Sequence, residues 1–228
     1  SIQSDGAFLL EQDGKRIRRF HSAASVRDGR KIDTRTASRV DIREEKAATP
    51  WGEGKTLTTV YEENGLTLEQ RLTLIGGKKE LIASIAIHDA RKETESNDLS
   101  VLDAVYPAAD EEELFRSLNQ RMLLAPYDND MWVRYEETPL RPGRRSYDVT
   151  AIFYPDTREG LLVGALDHDL WKNAIACGFT DARSIRAFCG AADACTHDSL
   201  PHGCVRGKRV ASARFILHWC DDIRHGLE

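Results

Sequence analysis

The sequence predicts an all-β protein built from two large antiparallel sheets, with few or no helices. Three observations predict it. Apolar and polar residues alternate with period two along most of the chain, the side-chain period of a strand that wets one face. Turn-forming Asn, Gly and Pro cluster between the alternating stretches. No strand–helix–strand rhythm appears, which excludes a doubly wound sheet or a (β/α)8 barrel for these residues.

The alternation predicts strands over residues 7–11, 15–20, 34–43, 55–61, 66–74 and 80–88 in the first part of the chain. In 66–74, Leu66, Leu68, Gln70, Leu72 and Leu74 share one parity, while Thr67, Glu69, Arg71 and Thr73 take the other. Glu63-Asn64-Gly65 is a hairpin signal, with Asn-Gly at its tip. Further strands are expected over 146–154, 160–166, 170–177, 182–189 and 211–219. A single short helix is expected over 110–118, where Asp110 caps, three glutamates suit the first turn, and Leu114, Phe115 and Leu118 form a stripe. A dozen or more antiparallel strands need two packed sheets to bury them. With no repeat and no low-complexity linker, residues 1–228 read as one domain.

Bulk properties narrow the function classes. The 228 residues are enough for a substantial core. A net charge of −5 with both signs interspersed argues against nucleic acid or an anionic membrane as the main partner. No apolar run reaches the ~18–20 residues needed to span a bilayer. All five cysteines fall late, at 177, 189, 195, 204 and 220, and the odd count leaves at least one unpaired.

Two polar-aromatic clusters carry the chemistry. One is Tyr127-Asp128-Asn129-Asp130-Met131-Trp132 and the other Asp167-His168-Asp169-Leu170-Trp171-Lys172. Acids that hydrogen-bond hydroxyls beside a flat apolar ring suit a sugar, which has a polar rim and an apolar face. The plain alternative is a packed ring beside turn-forming acids. Asp128 and Asp130, if on a strand, would stand about 7 Å apart on one face. That falls among the ~5–9.5 Å separations of glycosidase carboxylates, but Asp-Asn-Asp after Pro126 also reads as a loop bonding its own backbone. His168 between Asp167 and Asp169 could be an acid–base group with a fixed tautomer, or simply a satisfied polar residue. Cys195-Thr-His197 and His202-Gly-Cys204 have zinc-type ligands, but at a spacing shorter than structural zinc motifs use, so no metal and no cofactor is assigned.

Several of these segments resemble a known family. Residues 126–135, 146–153, 160–164 and His168-Asp-Leu-Trp-Lys172 are similar to α-galactosidase-like glycoside hydrolases of gut Bacteroidetes, relatives of glycoside hydrolase families 27 and 36. So are Asp198-Ser-Leu-Pro-His-Gly203, Val205-Arg-Gly207 and the terminal run from Trp219. The resemblance covers about the last half of the chain. It departs at Ile223, where the family pattern has Trp in an Asp-Asp-Trp-Arg run, and in the late cysteines.

The resemblance implies a β-supersandwich of galactose mutarotase-like fold that precedes a catalytic (β/α)8 barrel, with the catalytic carboxylates on the barrel. On that reading residues 1–228 are the N-terminal domain and carry no catalytic residue, and the barrel would follow residue 228. The implied partners are that barrel and carbohydrate, with export to the periplasm or cell surface. The residues expected at the rim of the sugar pocket are Asp128, Asn129, Asp130, Trp132, His168, Asp169 and Trp171. Two alternatives stand beside it. A free-standing carbohydrate-binding module would stack a sugar on Trp132 or Trp171, worth about 1 kcal/mol. An aldose epimerase would need a His with a Glu partner, and no partner for His168 is evident in sequence.

Overall fold

The computed structural model describes residues 1–104, 112–117, 119–126, 135–178, 180–181, 183–190 and 204–226. The first nine strands are β1 (Phe8–Gln12), β2 (Lys15–Ser25), β3 (Lys31–Asp33), β4 (Ser38–Thr49), β5 (Gly52–Glu63), β6 (Leu66–Ile75), β7 (Leu81–Asp89), β8 (Thr94–Ser96) and β9 (Asp98–Ala104). The next five are β10 (Arg121–Leu124), β11 (Glu136–Pro139), β12 (Arg145–Tyr147), β13 (Val149–Phe153) and β14 (Gly160–Ala165). The last are β15 (Asn173–Cys177), β16 (Ile185–Cys189), β17 (Val205–Gly207), β18 (Val210–Ala211) and β19 (Phe215–Cys220), before one helical turn, α1 (Ile223–Gly226).

These form two large antiparallel sheets and a small two-stranded one, β17-β8, so the fold is all-β as the alternation predicts. The smaller sheet runs β1-β2-β9-β16-β15-β12, with β3 beside β2. The larger runs β11-β10-β13-β14-β19-β7-β6-β5-β4, with β18 beside β7. One apolar core takes side chains from both, including Phe8, Ile17 and Phe20 from the smaller and Leu66, Leu68 and Phe215 from the larger. A buried polar bridge ties the two layers, the Gln70 side-chain amide donating to Ser22 Oγ at 2.9 Å.

Tight turns hold the β4–β7 meander in register. The β5–β6 turn has Asn64 and Gly65 at φ 54° and 71°, the two left-handed positions of a hairpin loop that matches strand twist. Between β1 and the β4–β7 strands lies a groove of about 930 Å³ lined by Leu9, Leu57, Leu72, Leu74 and Ile75.

Three expectations change. The strand expected over 211–219 is two, β18 and β19, parted by residues 212–214. The strand expected over 146–154 is two strands in different sheets, broken at Asp148, whose φ of 59° turns the chain from β12 into β13. The helix expected over 110–118 is absent from its described part, 112–117, which forms turns and bends. There the Glu113 and Leu114 amides donate to the Arg16 and Ile17 carbonyls of β2, at 2.7 and 3.1 Å. Those bonds to a strand replace the i→i−4 bonds a helix would need. Glu112, expected in the first turn of a helix, is instead buried against Arg18.

Candidate functional site

The left-handed turn at Asp148 organises the site. Its amide donates to the Asn173 carbonyl at 3.2 Å, and its carbonyl accepts from the Ala165 amide at 2.7 Å. One backbone unit thus pins the end of β14 to the start of β15 and fixes the loop between them, 166–172. The Asp148 carboxylate faces the same loop. Its Oδ1 lies 3.2 Å from His168 Nδ1 and accepts from Asn173 Nδ2 at 3.3 Å. The second Asn173 Nδ2 bond, 2.9 Å to the Asp167 carbonyl, holds the loop from beneath.

Each end of the loop is anchored to a distant part of the chain. Asp167 takes three donors from Arg214: the amide at 2.8 Å, Nε at 2.9 Å and Nη2 at 2.6 Å. The bidentate guanidinium holds the Asp167 carboxyl below the usual carboxylate range. Trp171 is buried, and its indole N–H donates to the Ala211 carbonyl at 2.9 Å. Lys172 is also buried, with Nζ 5.2 Å from the centre of the Tyr147 ring, a cation–π distance. The Gly190 amide donates to the Lys172 carbonyl at 2.9 Å. Gly190 has φ +95°, and a Cβ there would lie 1.6 Å from the Asn97 carbonyl oxygen, so only glycine fits.

His168, Asp169 and Leu170 at the loop's crest are exposed. The crest therefore offers an imidazole oriented by Asp148, a free-standing carboxylate and one aliphatic side chain. This set can accept and donate hydrogen bonds to hydroxyls in water. It presents no aromatic platform, because the Trp171 ring expected at the sugar rim is packed inward.

Asp128, Asn129, Asp130 and Trp132 lie outside the described residues, as do Cys195, His197 and His202. The residue leading to the first cluster is placed. The Ala125 carbonyl accepts from the Tyr147 amide at 2.9 Å, and its amide donates to Ser146 Oγ at 2.7 Å. Ala125 therefore lies against Tyr147, the residue before Asp148. Among the described residues no cluster of three or more His, Cys, Asp or Glu could hold a metal ion.

Sequence reasoning missed Asp148, Asn173 and Arg214 as the supports of the loop. Asp148 had a signal, a charged residue interrupting a β-branched and apolar run. Arg214 had none, since its partner is 47 residues away.

No protein-family model and no curated protein matches the sequence. Solved structures do match. A family GH97 enzyme from Pseudoalteromonas sp. strain K8, in complex with panose, aligns at TM-score 0.67 and 9% identity over 96% of this chain and 33% of its own. A β-arabinopyranosidase aligns at 0.65 and 10% over 98% and 38%. A GH36 α-galactosidase from Geobacillus stearothermophilus aligns at 0.57 and 11% over 89% and 30%. At these identities the likeness is one of fold. The chain has the β-sandwich fold found in part of these glycoside hydrolase chains, and it spans about a third of their length.

Proposed function

We propose that this chain is a non-catalytic N-terminal domain of a larger α-galactosidase-like glycoside hydrolase. It braces a catalytic (β/α)8 barrel and lends loops to the rim of the sugar pocket. The observation that carries this is the lopsided coverage. Nearly all of this chain aligns with about a third of each glycoside hydrolase chain. The chemistry of the described site agrees, since His168 and Asp169 offer exposed groups that can hydrogen-bond hydroxyls. On this reading His168 and Asp169 contact the sugar or the barrel's loops, and Trp171 anchors the loop from below. Asp128, Asn129, Asp130 and Trp132 are the proposed second part of the rim.

The test is to read the coding sequence beyond residue 228 and to assay both forms on aryl α- and β-glycosides. We expect a strand–helix barrel to follow, and hydrolysis of an α-galactoside by the long form alone. His168→Ala and Trp132→Ala in the long form should raise KM more than they lower kcat, because a rim residue binds without taking part in bond cleavage. Hydrolysis by the 228-residue chain, or a continuation without a barrel, overturns the reading.

A further inference from the structure

β4 is unusual among the described strands. It has 12 residues, about 40 Å of edge, and among the described strands it pairs only with β5. Nine of those residues in succession, Ser38 to Lys46, are exposed. Of the six large hydrophobic residues exposed among the described residues, four lie on or beside the β4–β6 hairpins: Val40, Ile42, Trp51 and Leu74. Sheet edges this long are normally blunted by charge and bulges, since their open amides and carbonyls invite another strand. β4 has both devices, a bulge between Arg39 and Asp41 and a run of charges. The order of the charges is what matters.

Asp41, Arg43 and Glu45 share one face, with Arg43 3.5 Å from each carboxylate. Those separations are longer than a charge-assisted hydrogen bond, so the three groups are not locked to one another. When two identical strands pair antiparallel about a two-fold axis, one residue faces its own copy. Of residues 41–46 (Asp, Ile, Arg, Glu, Glu, Lys) only Ile42 is uncharged. Every other centre within 41–46 sets a charge against itself. Centring on Ile42 also places Asp41 opposite Arg43 of the other copy, twice by symmetry. The bulge stands at the end of this stretch, so the paired segment is regular.

We propose that β4 is a homodimerisation edge, pairing antiparallel with β4 of a second copy about an axis through Ile42. The larger sheets of the two copies then form one continuous sheet. The Ile42 side chains, each 51% exposed in the single chain, cover one another, and two Asp41–Arg43 pairs flank them.

Sedimentation equilibrium on the 228-residue chain tests this, with thermal melting to confirm that each variant is folded. The unmodified chain should dimerise with a dissociation constant below ~100 µM. Arg43→Asp or Asp41→Arg alone sets like charges opposite each other and should weaken the dimer at least ~10-fold. The double variant Asp41→Arg/Arg43→Asp restores opposite signs and should restore the dimer. Ile42→Lys should abolish it. A monomeric unmodified chain overturns the proposal. So does a dimer indifferent to the single changes, or one that the double change does not restore.

Discussion

The β4–β7 meander and the loop 166–172 are both rich in charge and both lie at the surface, yet they are held in different ways. In the meander every strand pairs with its neighbour in sequence, so the ladder β4-β5-β6-β7 repeats the order of the chain. Along most of β6 the side chains alternate: Leu66, Leu68, Gln70 and Leu72 turn inward, and Thr67, Glu69, Arg71 and Thr73 turn outward. The loop obeys no local rule. Asp167 is set by Arg214, Trp171 by Ala211, His168 by Asp148 and Lys172 by Gly190. A residue's type predicts its role where neighbours in sequence are neighbours in space. Elsewhere the role is assigned by the partner.

Trp171 gives the widest separation between the two ways of reading. As a sugar platform its loss would weaken glycan binding and spare the fold. As the buried anchor seen here, Trp171→Ala should cost about 3–5 kcal/mol of stability, the range for emptying an aromatic site. Urea unfolding of the variant measures this, and a midpoint unchanged from the parent would return Trp171 to the role of a platform. Leu68→Ala, in the meander and fully buried, should cost somewhat less, about 2–4 kcal/mol. Thr67→Ala, one residue away on the outer face, should stay within about 0.5 kcal/mol. If Thr67→Ala approached Leu68→Ala, the inward–outward alternation of β6 would be wrong.

The same contrast explains what could be read from the sequence. The all-β class and the meander were legible, because period two and an Asn-Gly turn act over a few residues. β9 was not, although it is central in the smaller sheet. Its run Leu99-Ser-Val-Leu102 is apolar without clear alternation, since Leu99, Ser100, Val101 and Leu102 are all buried. The expected helix failed for a related reason. Its capping and charge signals are local, but its amides were claimed by β2, nearly a hundred residues earlier. Of the seven expected rim residues, His168, Asp169 and Trp171 share one loop, and sequence composition marked that loop only as polar and aromatic. It did not reveal that the ring faces inward.

Two arginine-held carboxylates, one from each region, offer the finest comparison. Asp89 ends the meander with its side chain 1% exposed; it accepts from the Arg91 amide at 2.8 Å and from Arg30 at 2.7 Å. The Arg91 amide and then Arg30 bring its carboxyl down to about 2. Asp167 is lowered mainly by its bonds to Arg214, with its side chain 29% exposed. Both folded values lie below the unfolded one. Each group therefore stabilises the fold above the ordinary carboxylate range, and that stability is lost as pH falls through the folded value. For Asp89 the loss falls between pH 3.8 and about 2. Asp89→Asn should flatten the acid limb of stability in that window. Asp167→Asn should flatten its own limb by less, since water screens the Arg214 pair. Denaturant titrations at stepped pH compare the two slopes. An equal effect would mean that burial matters no more at the meander's end than at the loop, and that the partner alone sets the strength of each pair.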